Sequence, residues 1–174
     1  MAIVKSDVIT DALDLDTQIQ KGHGKPIRGV TGVASPTGAL ADNSTLFFFE
    51  IPVDAILDSV ILHSDDLGTT GDMNIGVYKG LRELEAIGVT VDSLTDADAV
   101  DEDCIATAVD LNAAAVANTE VRFEVKDINT ANKKMWELAG LSSRPTYETF
   151  LVGGTLSEAT TAAGDVVLHA KFRV

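Results

Sequence analysis

The sequence predicts an all-β fold with one or two short helices, an antiparallel β-sandwich of jelly-roll type. Two observations carry this. Short segments of alternating apolar and polar residues recur from Thr45 to Val174, and each is bounded by Gly, Pro, Asp or Ser clusters. Helical periodicity is confined to one excursion near Asn129–Ala139. Many short strands joined by turns and a single helix describe a sandwich.

The first thirty residues stand apart. Lys5–Asp16 carries Asp7, Asp11, Asp14 and Asp16, and Lys21-Gly22-His23-Gly24-Lys25-Pro26-Ile27-Arg28 concentrates positive charge and chain breakers. Neither period persists there, so residues 1–30 are expected to form an extended arm, with residues 31–174 as the sandwich. Ile3, Val4, Val8, Ile9, Leu13, Leu15 and Ile19 are too apolar for a purely solvated tail. The expectation is an arm laid across another surface.

Thr45–Ile51 is a β-rich run ending at Pro52. With Phe47, Phe49 and Ile51 facing the core, Leu46 and Phe48 face the other way and need cover from the arm or a neighbour. A turn at Val53-Asp54-Ala55 leads to Ile56–His63, kinked at Asp58-Ser59 so that Val60 and Leu62 point inward. Ser64–Gly71 reads as a loop, and Met73–Tyr78 as a strand with Ile75 and Val77 inside. Residues 79–104 form a long acidic loop, with a weak helix over Ser93–Val100. Val121, Phe123 and Val125 alternate with Arg122, Glu124 and Lys126. Ile128, Ala131, Met135 and Leu138 set a helix over Asn129–Ala139, with Trp136 in its buried contact and Gly140 after its end. Tyr147–Leu156, interrupted by Gly153-Gly154, is expected to pair with the final strand through the turn Ala162–Asp165. In that final strand Val166, Leu168, Ala170, Phe172 and Val174 face inward.

Composition narrows the function. The 174 residues suffice for one domain with a core. No apolar run approaches the roughly 20 residues that cross a bilayer, and Met1–Thr10 has no signal-peptide h-region, so a soluble protein made in a cytoplasm is expected, with no membrane partner. A net charge of −14 argues against nucleic acid, whose phosphates would repel such a surface. Cys104 is the sole cysteine, which excludes an intramolecular disulfide.

Catalytic motifs are missing. His23, His63 and His169 have no neighbours at metal-ligand spacing, and there is no nucleophile elbow, phosphate loop or dinucleotide fingerprint. The expectation is therefore no enzyme, with no catalytic, cofactor or metal residue. Asp92–Asp103 holds six acids and no base, yet it lacks the glycine and oxygen-ligand order of a calcium loop, and it reads as a solvated loop. Asp65-Asp66 with Asp72 reads as turn chemistry. Tyr78 and Tyr147 are the two aromatics expected near the surface, where a glycan could stack.

The opening Met1–Thr10, the pair Leu46–Val53 and Ile56–Asp65, the segment Asp72–Tyr78, the strand Glu120–Glu124 and Lys134–Leu141 resemble a family of small virion structural proteins, those encoded beside the major capsid protein of tailed phages. The resemblance spans nearly the whole chain through packing patterns, and the acidic loop 79–104 matches no feature of it. It implies a cement or decoration protein on the capsid exterior, made in a host bacterium. The implied partners are the major capsid protein and further copies of the chain, as a dimer or trimer. The expected contact residues are Ile3, Val4, Val8, Ile9, Lys21, Lys25 and Arg28 from the arm, with Leu46 and Phe48 from the doubly apolar strand. The alternative is a receptor- or glycan-binding module of a fibre or tail.

Overall fold

In the computed structural model, residues 3–5, 27–95, 98–111, 116–122 and 128–174 are described. Nine strands follow in chain order: β1 Ile3–Lys5, β2 Ile27–Ala34, β3 Thr45–Pro52, β4 Ile56–Ser64, β5 Asp72–Lys79, β6 Ala99–Asp110, β7 Val116–Glu120, β8 Thr149–Leu156 and β9 Val166–Arg173. They form two sheets, β1-β3-β8-β5-β6 and β2-β9-β4-β7. Each has four antiparallel strands, and the first gains β1 as a parallel strand on the edge of β3.

The pairing has a simple origin. β2 lies against β9, β3 against β8, β4 against β7 and β5 against β6. That is one long antiparallel ribbon folded at its middle. Rolling the ribbon brings β9 beside β4 and β8 beside β5, which closes the two sheets over a common core. The result is the jelly roll that the alternating segments predicted.

Period-two burial is clearest in β9, where Val166, Leu168, Ala170 and Phe172 are buried. Val174 lies beyond the strand and is exposed, contrary to expectation. The turn before β4 forms as read, with the Ala55 amide on the Pro52 carbonyl, and the kink at Asp58 is a bulge against β9. Val60, Leu62, Met73, Ile75 and Val77 fill the core from β4 and β5.

Several elements differ from expectation. β8 pairs with β3 and β5, not with β9, so the chain after Leu156 crosses between the sheets. The predicted strand at Val121–Val125 lies later than the observed β7. Val121 is buried just past the end of β7, and residues 123–127 lie outside the described ones. The expected helix over 129–139 is a 3-10 turn at Ile128–Thr130 and one helical turn at Met135–Leu138. Met135 is buried, whereas Trp136 is only half-buried against the core. The weak helix over Ser93–Val100 is a 3-10 turn at Val91–Ser93, after which the acid-rich stretch enters β6.

Candidate functional site

The two sheets present very different outer faces, and the difference starts at one bulge. In β3 the register shifts between Phe47 and Phe49. Leu46, Phe48, Phe49 and Ile51 thereby all enter the main core, and Phe47 turns to the outer face. This reverses the expected assignment of Leu46, Phe47 and Phe48. It also corrects the expected contact role of Leu46 and Phe48, since both are fully buried inside the chain's own core.

Phe47 is not left in water. It meets Tyr78 edge-on at 4.9 Å between ring centroids, and the two rings pack with Leu84, Leu94 and Leu151 in a second apolar cluster. Gly153 makes room for them, because a Cβ there would lie 3.0 Å from both rings. On the other face, a Cβ at Gly154 would lie 2.3 Å from the Met73 sulfur. The glycine pair therefore does not break β8; it admits side chains from both faces. Tyr78, expected near the surface, is fully buried, with its hydroxyl 2.8 Å from Thr155 Oγ1. Tyr147 is half-buried against Phe150.

The cover over this face is the segment read as an acidic loop. A helix at Leu81–Ala86 contributes Leu84, and the chain beyond it contributes Leu94. Glu50, also turned outward past the bulge, accepts hydrogen bonds from the Leu81 amide at 2.7 Å and Thr149 Oγ1 at 3.0 Å, which pins the start of the helix. Between Lys79 and Asp110 the sequence has nine acids and two bases, a net of −7, half the charge of the chain. Asp98 accepts from the amide and hydroxyl of Thr95, so this acid serves a local turn. Among the described residues, no three His, Cys, Asp or Glu side chains converge as a metal site.

The outer face of β2-β9-β4-β7 is different. Strand register puts Ile27, Gly29, Thr31 and Val33 of β2 in line with Arg173, Lys171, His169 and Val167 of β9. On the other side of β9 stand Ile56, Ser59, Ile61 and His63 of β4. Ile27 is 67% exposed. Ile56, Ile61, Val33 and Val167 are half-buried and belong to neither apolar cluster of the described residues. Thr31 Oγ1 lies 2.7 Å from His169 Nδ1. Arg173 Nε is 3.3 Å from Asp58 Oδ1, an ion pair lacking hydrogen-bond geometry.

Just past the end of β7, Arg122 is fully buried. Its guanidinium donates to the Leu57 carbonyl and, at 2.9 Å, to the Thr130 carbonyl. Burial pulls its pKa below the ordinary arginine value, and the charges of Glu120 and Asp58 oppose that. At one end of the sandwich Asp54 holds Lys134 at 2.9 Å and Arg144 at 2.6 Å, and the hydrogen bonds from Arg144 and then Lys134 lower its pKa.

The expected arm residues fall in three places. Ile3 and Val4 stand in β1, registered with Thr45 and Leu46 of β3. Arg28 is half-buried in β2, registered with Phe172. Val8, Ile9, Lys21 and Lys25 lie outside the described residues.

The fold is shared with a phage capsid chain. That chain belongs to the structure described as the capsid of Ralstonia phage GP4; the match covers 99% of this protein and 97% of that chain, with TM-score 0.51 and 14% identity. The cyanophage Pam1 capsid asymmetric unit also contains a chain that matches, over 94% of this protein and 95% of that chain, with TM-score 0.44 and 18% identity. No protein-family profile matches the sequence, and no curated protein does. At such identities the likeness is one of fold. Sequence reasoning missed the covered outer face of β3; its signal was Phe47-Phe48-Phe49 opposite Gly153-Gly154, aromatic bulk facing residues with none.

Proposed function

We propose that this chain is a cement or decoration protein of a tailed-phage capsid, bound to the outside of the shell through the major capsid protein. One observation carries the reading. The jelly roll is matched from end to end by a chain in the capsid of Ralstonia phage GP4, with almost nothing left over on either side. The strand pieces that resemble small virion proteins and the acidic charge agree with it.

The mechanism is binding linkage. A protein that binds the mature shell more tightly than its separated subunits stabilises that shell by the difference in binding free energy. Ile3, Val4 and Arg28, together with Val8, Ile9, Lys21 and Lys25, are the contact residues in this reading. A chain bridging adjacent subunits raises the barrier to their separation under the outward load of packaged DNA.

Particles assembled without the protein should release DNA at a lower temperature than complete ones, and adding purified protein should restore the difference. Bare particles as robust as complete ones, but unable to adsorb to host cells, would sink the cement reading in favour of receptor binding.

A further inference from the structure

We infer that the end of the sandwich bearing Lys133, Lys134, Arg144 and Arg173 is a docking surface for a carboxylate-rich patch on a protein partner. The inference rests on the capsid reading and deepens it, because it states which end of the chain meets the shell and what chemistry the shell presents there. Three observations converge. The first is a segregation of charge along the strands. The loops at one end are knit together by backbone hydrogen bonds between Leu40 and Thr160, Leu67 and Thr161, Asp65 and Asp165, and Gly71 and Leu111. Residues 35–44, 65–72 and 157–165 of those loops, with Asp110, hold seven acids and neither lysine nor arginine.

The opposite end is where β3 and β9 finish and β2, β4 and β8 begin. There Arg28, Lys133, Lys134, Arg144, Lys171 and Arg173 stand against Asp54, Asp58, Glu137 and Glu148, a net of +2. Residues 79–86, at the same end, add two bases and two acids and leave that net unchanged. The whole chain is −14, so everything else sums to −16. An acidic partner is attracted by this end and repelled by the remainder, which sets the orientation during approach. A folded protein can present a carboxylate patch of limited extent, whereas DNA is a polyanion along its whole length and meets the −16 remainder as well.

The second observation is that the acids at this end are already engaged. Asp54 is shared between Lys134 at 2.9 Å and Arg144 at 2.6 Å, one carboxylate for two cations. Asp58 stands 3.3 Å from Arg173, and Glu137 accepts from the Lys134 amide at 2.8 Å. Arg28, Lys133 and Lys171 have no ion pair among the described residues, which leaves their charge for a partner. The third is contiguity. Arg173 Nη2 donates to Asn132 Oδ1 at 2.9 Å, which sets this guanidinium beside the segment that carries Lys133 and Lys134. Ile27, 67% exposed, is registered with Arg173 and offers apolar contact next to the charges.

The test is the rate at which the full-length protein associates with particles lacking it. Association should slow at least about tenfold between about 0.05 and 0.5 M NaCl, as salt screens the attraction. At the lower salt the double variant Lys133→Gln/Lys171→Gln should slow it by about fivefold. Gly38→Glu/Ala39→Glu makes the same change of net charge at exposed positions of the acidic end, where a Cβ on Gly38 meets nothing within 4 Å, and should change the rate by less than about twofold. Circular dichroism confirms that both variants are folded. Zero-length carbodiimide coupling on the particle should join Lys133, Lys134 or Lys171 to aspartates or glutamates of the shell. Association indifferent to salt, equal effects of the two double variants, or cross-links from Asp42, Asp65 or Glu158 to shell lysines would overturn the inference while leaving the capsid reading intact. So would binding of DNA that the lysine variant loses while its particle binding is unchanged. A wild-type protein that does not bind particles at all sinks the capsid reading itself, and this inference with it.

Discussion

The two outer faces of this sandwich solve the same problem in opposite ways. Both sheets carry apolar side chains on the side away from the main core. On β3-β8-β5 the chain covers them itself, with Leu84 and Leu94 seated on Phe47, Tyr78 and Leu151. On β9 and its neighbours Val33, Ile56, Ile61 and Val167 are half-buried and join neither apolar cluster of the described residues. A covered face contributes to the stability of the single chain, and an open one contributes when something arrives. Mutations on the two faces should therefore separate folding from association.

The largest effect belongs to the covered side. Phe47→Ala removes a fully buried ring and its edge-on partner, and should cost about 3–5 kcal/mol in chemical denaturation. A loss under about 1 kcal/mol would show that the cover over Phe47 is loose. Next comes Arg122→Met, just past the end of β7. It removes the donor to the Leu57 carbonyl and one of two donors to the Thr130 carbonyl, which keeps the Lys133 amide, and should cost about 1–3 kcal/mol, read as a lowered thermal midpoint. Trp136→Ala should cost less than a full core aromatic, about 1–2 kcal/mol, because the ring is half-buried and its buried Nε1 has no hydrogen-bond partner among the described residues.

Asp54 provides a test that depends on pH. Its pKa in the folded chain is lowered, so its contribution is present above the ordinary value of 3.8 and is lost as pH falls through the lowered one. Asp54→Asn should melt earlier than wild type at neutral pH, by a modest margin given the partial exposure of all three partners. The two melting curves should converge in strong acid. A difference that persists there would point to packing in place of charge. The smallest effect is expected on the open side: Ile61→Thr should shift the stability of the monomer by no more than about 0.5 kcal/mol. A large shift would mean that the face is covered within the chain after all, which breaks the comparison.

What was legible in the sequence follows the same division. β4 and β9 were readable because each has one buried side, and a period of two is all that such a strand requires. β3 was misassigned because a bulge at Phe48 inverts the alternation midway, and an unbroken apolar run gives no sign of where the inversion falls. β6 reads as a solvated loop in the sequence because Asp101, Glu102 and Asp103 disfavour strand formation. Those acids make sense once β6 is seen at the edge of its sheet, where charge discourages pairing with another chain. The arm residues Ile3 and Val4 were singled out for their apolar character in an irregular segment, and their strand pairing with β3 left no local mark. The pairing of β8 was misjudged because a short connection suggested a hairpin, whereas the rolled ribbon puts β8 and β9 in opposite sheets.

The rolled ribbon also dictates an order of events. β9 comes last of all the strands in the chain and yet occupies the middle of its sheet, with β2 on one side and β4 on the other. Its partner in the register Ile27↔Arg173 is drawn from the opposite end of the sandwich sequence. Contacts so distant along the chain carry a high entropic cost of closure and give slow folding. During synthesis β2 and β4 emerge early, and they wait without their shared neighbour until the ribosome has released the final strand. Over that interval two unpaired strand edges stay open to the wrong partner, so the yield of native protein should fall with crowding of nascent chains long before its equilibrium stability becomes limiting.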